Sequence, residues 1–124
     1  MTTSATGASL ELRRPSAHVA EVWLNRPEMR NAFNDEVIAA LHQAFERLGA
    51  DPEVRVVVLA AHGKAFCAGA DLHWMRRMAD YTREENIADA GKLAEMLRVI
   101  YTCPKPTIAC VQGDVYAGGM GLVA

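Results

Sequence analysis

The chain predicts an α/β layered fold, on three observations. Val54–Ala61 and Lys105–Val111 are short, largely apolar runs of strand character. Amphipathic helical stretches separate them, and each apolar run leads through small residues into a further helix start. The element order is β-β-α-β-α-α-β, with one more helix beginning near Gly118, which calls for right-handed crossovers onto a largely parallel sheet. No internal repeat, low-complexity tract or linker divides it.

Residues 1–8 are small and polar, with neither basic patch nor apolar run; they are expected to be disordered and to be neither signal peptide nor anchor. The domain is expected over 9–124. Ser9–Arg14 and His18–Leu24 read as a hairpin broken by Pro15-Ser16, with Val19, Val22 and Leu24 supplying apolar surface. Asn25–Asn34, with Pro27 and three asparagines, reads as a loop. A helix fits Asp35–Leu48: Asn34 suits the N-cap, Asp35 and Glu36 meet the positive end of the dipole, and Gly49 is the expected stop. Val37, Ile38, Leu41, Phe45 and Leu48 share one face.

Val54–Ala61 is β-branched and apolar enough to be covered on both faces. A long helix fits Arg83–Tyr101, opened by the Thr82/Glu85 capping box, with Ile87, Leu93, Leu97 and Ile100 along its stripe and Pro104 and Pro106 past its end. Lys105–Val111 reads as a second buried strand, followed by the Ala117-Gly118-Gly119 turn.

Of the 124 residues, 51% are hydrophobic, enough for a core. Thirteen basic against fifteen acidic side chains give no electrostatic reason for binding nucleic acid or an anionic membrane. No apolar run spans a bilayer. The three cysteines, Cys67, Cys103 and Cys110, lack metal-ligand spacing and read as reduced thiols, so a cytoplasmic location and no metal are expected.

The two strand-to-helix turns share one design. Val54–Ala61 leads through His62-Gly63-Lys64 into A-F-C-A-G-A-D (65–71); Lys105–Val111 leads through Gln112-Gly113-Asp114 into V-Y-A-G-G (115–119). A helix N-terminus leaves backbone N–H groups unpaired and carries partial positive charge. Small residues admit a ligand to that backbone. Two such amides aimed at one point would bind a carbonyl oxygen and favour its conversion to an oxyanion.

The opening loop, L-N-R-P-E-x-x-N-A (24–32), followed by K-A-F-C-A-G-A-D-L (64–72) and the V-x-G-x-x-x-A-G-G turn (111–119), resembles the crotonase superfamily of enoyl-CoA hydratases and isomerases, in that family's order, from about residue 9 to the last residue. The resemblance implies the N-terminal portion of a crotonase-like ββα superhelical layered fold. Trp74, the Asp80–Lys92 stretch and G-D-V-Y-A-G-G-M-G (113–121) are similar to methylglutaconyl-CoA hydratase-like members, which implies a branched acyl chain, branched-chain amino acid or fatty acid catabolism, and a homotrimer or dimer of trimers. The backbone N–H groups of Ala70 and Gly118 are the implied oxyanion hole. Met29, Ala32 and Ala68 would line the CoA path, Gly69 joins the substrate-binding candidates, Lys64 would lie near a CoA phosphate, and Leu72 and Tyr116 would wall the acyl pocket. Asp71 stands among the substrate-binding candidates, with helix capping as its bland role. CoA arrives as part of the substrate, and no other cofactor is implied.

The chain also departs from that pattern. The resemblance expects a glutamate three positions after the oxyanion-hole glycine, where Gly121 stands, and a second one beyond Ala124. No general base is therefore assigned, and the 124 residues taken alone are expected to be a poor or inactive hydratase. Two readings follow: an enoyl-CoA hydratase/isomerase, or a non-catalytic acyl-CoA-binding or assembly module. Isomerase, decarboxylase and thioesterase chemistry stay open within the first, and a plain structural domain is the third alternative. Cys67 reads as packing; His62, His73 and the Arg76-Arg77 pair as structural or solvated; Trp74 and Met75 as core or pocket wall.

Overall fold

The computed structural model describes residues 2–5 and 9–124. β1 (Thr2–Ala5), β2 (Leu10–Ser16) and β3 (Val19–Leu24) form an antiparallel meander, and α1 (Asp35–Ala50) then leads to β4 (Val56–Ala61), which runs parallel to β3 with Val22 opposite Leu59. β5 (Ala65–Cys67), α2 (Leu72–Met78) and α3 (Arg83–Tyr101) precede β6 (Thr107–Ala109), which pairs parallel to β4. β7 (Asp114–Val115) and α4 (Gly119–Val123) complete the chain. The main sheet has the order β1-β2-β3-β4-β6, and β5 and β7 form a separate two-stranded parallel sheet. The expected layered α/β arrangement is thus present.

Residues 2–5 of the segment expected to be disordered form β1, whose ladder joins the N–H and C=O groups on the edge of β2. Met1 and residues 6–8 lie outside the described residues. In the hairpin, the ladder shifts between Arg13 and Ser16, where Pro15 has no N–H to donate. Strand alternation in β3 turns Ala20, Val22 and Leu24 inward, so Val19 is only half-buried and Ala20 takes its expected place.

α1 begins as its sequence predicts, with the Asn34 side chain accepting from the Val37 amide at 3.0 Å, and all five expected face residues are buried. It runs through Gly49 to Ala50 rather than stopping there. The small residue at 49 instead admits the Pro104 ring, whose Cδ would lie 3.1 Å from an added Cβ. α3 has the predicted bounds and both capping-box hydrogen bonds, at 3.1 Å each. Its stripe is only partly covered: Met96 is buried, Leu93, Leu97 and Ile100 are half-buried, and Ile87 is exposed.

β6 departs most from expectation. Lys105–Val111 reads as a buried strand, yet only three residues join the ladder, at the sheet edge, and Ile108 is 51% exposed. The core lies between the sheet and α1, centred on Phe33, Leu41, Phe45, Val57 and Phe66. Each such side chain contributes about 1.5–3 kcal/mol on burial. No helix among the described residues is long and apolar enough to cross a membrane.

Candidate functional site

The first turn is held by a neighbouring segment. Phe33 donates its N–H to Gly69 O at 2.9 Å and accepts from the Asp71 amide at 2.8 Å, a parallel bridge opposite Ala70. In such a bridge the doubly bonded residue engages the flanking groups of its partner, so the N–H of Ala70 itself faces the other way. The amides of Ala68 (to Arg30 O, 3.0 Å), Gly69 (to Cys67 Sγ, 3.5 Å) and Asp71 are paired, whereas that of Ala70 has no partner among the described residues.

The second turn is bonded to the first. β7 pairs with β5, and the Tyr116 amide donates to Cys67 O at 3.0 Å. Ala117 is left-handed at φ 47°, a conformation that costs a non-glycine residue roughly 1–2 kcal/mol. The amides of Gly119, Met120 and Gly121 bond back to Tyr116, Ala117 and Gly118, whereas those of Ala117 and Gly118 have no partner among the described residues. Gly69, at φ +93°, faces this turn: an added Cβ would lie 3.2 Å from Tyr116 O and 3.4 Å from Gly118 N. The unpaired amide of Ala70 follows Gly69 in the chain, and Gly69 packs against the turn that carries the unpaired amide of Gly118. Backbone of this kind, donors exposed and strain retained, suits recognition of an oxygen acceptor.

The loop at 25–34 braces both turns. A short 3-10 turn, Pro27–Met29, carries the chain into Arg30 and Asn31, both left-handed. The buried Asn31 side chain accepts from the Arg26 amide (2.8 Å) and donates to His62 O (2.8 Å) and Ala65 O (3.0 Å). The Arg26 guanidinium bridges Ala32 O (2.6 Å) and Asp71 Oδ2 (3.1 Å). Asp71 Oδ1 accepts from the amides of His73 (2.7 Å) and Trp74 (3.2 Å), capping α2. Burial alone would raise the Asp71 pKa; the hydrogen bonds from Trp74, Arg26 and His73, with the Arg26 charge, outweigh it and hold the carboxyl below its ordinary value.

Ala68, Gly69, Ala70, Asp71 and Leu72 thus share the first turn, and Tyr116 and Gly118 the second. Asp71 is 3% exposed and both its oxygens are occupied, so its place is the cap and the ion pair. Met29 is half-buried and Ala32 buried in the loop bonded to Ala68. Lys64 is exposed immediately before β5. Leu72 is 68% and Tyr116 48% exposed, and the Tyr116 hydroxyl donates to Asp114 Oδ2 at 2.9 Å, a bond that raises the phenol pKa. Cys67 is buried, and desolvation raises its thiol pKa, as suits packing. Trp74 is core. His62 stacks on Trp23 and meets Glu11 at 3.1 Å, away from both unpaired amides in bonding terms. Sequence reasoning missed Arg26, Asn31 and Phe33, whose partners lie 31 to 45 residues away or are main-chain groups. A groove of about 590 Å³ bounded by α1, Trp74 of α2 and α3 includes no residue of either turn.

A family model described as enoyl-CoA hydratase/isomerase matches residues 14–124. A Thermus thermophilus protein carrying an enoyl-CoA hydratase name is 49% identical over 85% of this chain and 42% of its own length. The mouse mitochondrial Delta(3,5)-Delta(2,4)-dienoyl-CoA isomerase is 35% identical over 94% of this chain and 38% of its own. The crystal structure of an enoyl-CoA hydratase from Shewanella pealeana superposes with a TM-score of 0.88 at 38% identity, covering 92% of this chain and 43% of that one. The chain spans about two fifths of the length of the curated relatives it matches.

Proposed function

Because the chain belongs to the enoyl-CoA hydratase/isomerase family, we propose that its two turns hold the thioester carbonyl of an α,β-unsaturated acyl-CoA between the N–H groups of Ala70 and Gly118. What supports this reading is that Gly69, which precedes the unpartnered Ala70 amide, packs against the turn carrying the unpartnered Gly118 amide. Fixed donors need no reorganisation as negative charge moves onto the oxygen, so they stabilise an enolate more than the ground-state thioester. Loss of one such donor costs about 3–4 kcal/mol in the barrier.

In this reading Met29, Ala32 and Ala68 border the CoA path, Lys64 meets a phosphate, and Leu72 and Tyr116 face the acyl chain; the exposure of Lys64, Leu72 and Tyr116 is compatible with these roles. A branched, methylglutaconyl-like acyl group and a homotrimer are its finer expectations. Asp71 takes no proton, since its carboxylate caps α2 and pairs with Arg26.

A second reading, an acyl-CoA-binding module without turnover, is favoured by Gly121 at the position where the resemblance expects a carboxylate. Calorimetric binding of crotonyl-CoA and methylglutaconyl-CoA, measured beside hydration of each, separates the two. Binding with turnover supports the enzyme, and binding without turnover supports the module. Absence of binding to both thioesters would defeat either reading.

A further inference from the structure

We infer that Phe33 is the residue that sets the two amides relative to each other, its main chain fixing Ala70 and its ring fixing Gly118. The inference rests on the reading of those amides as a carbonyl site. Both main-chain groups of Phe33 are bonded to the first turn, to Gly69 O and from the Asp71 amide, and these two bonds define the direction of the Ala70 N–H between them. The ring, 2% exposed, meets the other turn. An added Cβ on Gly118 would find Phe33 Cζ at 2.9 Å, Cε1 at 3.6 Å and Cε2 at 4.0 Å, and these are the three nearest atoms.

No strand ladder includes Gly118, its amide is unpaired among the described residues, and the preceding Ala117 is held in the left-handed region. The Gly118 carbonyl accepts from the Gly121 amide within its own turn, at 3.1 Å, and the flat, rigid ring behind Gly118 supplies the contact to the 25–34 loop that no hydrogen bond of Gly118 makes. Aromatic rings have few rotamers and close packing resists their displacement, so the ring transmits the position of one segment to the other. Phe33 is accordingly a positioning residue: it touches the groups that hold the substrate rather than the reacting atoms.

Phe33→Leu keeps the main-chain bonds and removes the ring, and Phe45→Leu is the control, comparably buried, within α1, and absent from the atoms that meet Gly69 and Gly118. Two readouts apply to the full chain: amide resonances in a 15N–1H spectrum, and the infrared carbonyl band of bound crotonyl-CoA carrying a 13C label at the thioester carbon. Phe33→Leu should move the Gly118 amide and leave Ala70 close to its original position. It should return the bound carbonyl at least halfway to its free frequency, and where turnover is measurable lower kcat roughly ten- to hundred-fold with KM little changed. Phe45→Leu should do none of these. Identical behaviour of the two variants would overturn the inference, and Phe33→Met, closer in volume, serves if Phe33→Leu does not fold. A wild-type chain that binds crotonyl-CoA without shifting its carbonyl band would defeat the carbonyl-site reading, and the amide response would then still confirm or refute the coupling of ring to turn.

Discussion

Gly69 packs against the turn that carries Gly118, so that a methyl group placed at 69 would lie 3.2 Å from Tyr116 O, 3.3 Å from Ala117 Cβ and 3.4 Å from the Gly118 nitrogen. Two constraints meet at Gly69: the space is taken, and φ is +93°. Gly69→Ala is therefore expected to destabilise the fold by roughly 1–2 kcal/mol. It should also weaken polarisation of a bound thioester by about a hundred-fold in rate terms, as loss of one amide donor does. Urea unfolding and single-turnover kinetics measure the two effects separately.

Acid should act through Asp71. Its folded pKa is depressed below the unfolded value of about 3.9. A depressed carboxylate contributes stability that is present above the unfolded pKa and lost as pH falls through the folded one. Wild-type stability should therefore decline below about pH 4, where Asp71→Asn, with nothing to titrate there, declines less steeply. Chemical denaturation from pH 3 to pH 7 (roughly the window set by these pKa values) compares the slopes.

Gly121 has room for a side chain. An added Cβ would make ordinary contacts with Leu97 Cδ2 at 3.5 Å and Cδ1 at 3.7 Å, and the residue lies exposed in α4. Gly121→Glu should be tolerated, with stability unchanged or raised by up to about 1 kcal/mol as helix-interior glycine is removed. If the position is that of a missing acid–base group, hydration of crotonyl-CoA should rise in the variant. Unchanged turnover beside unchanged binding would count against that assignment.

Asn31 should be costly to lose. In Asn31→Ala, Ala65 O keeps a donor in Gln112 Nε2 at 3.1 Å, so the loss falls on His62 O and the Arg26 amide. Unmade bonds of this kind cost about 1–3 kcal/mol each when buried, and alanine is less at ease than asparagine at φ 57°. A urea midpoint series over Asn31→Ala, Asn31→Gly and wild type resolves the two contributions, with Asn31→Gly the less damaged variant if backbone strain matters.

The parts legible in the sequence were those with a local signature. α1 and α3 could be read from periodic apolar faces and from caps three residues long, and the two turns from small residues between a strand and a helix start. β5 and β7, at three and two residues, carry no periodicity, and their pairing joins segments some fifty residues apart. The exposure of β6 was not legible either, because apolar composition states what a strand can bury and not what lies beside it. At the site, the glycines announced an open backbone. The clamp by Phe33 and the Asn31 and Arg26 braces did not, since each depends on main-chain groups or distant partners that only the folded chain assembles.

The most direct measurement is a crystal structure of the protein with a bound enoyl-CoA thioester. The nitrogens of Ala70 and Gly118 should both lie about 2.7–3.1 Å from the thioester oxygen. A thioester oxygen turned away from the turns, or bonded to one of the two nitrogens alone, would contradict the account.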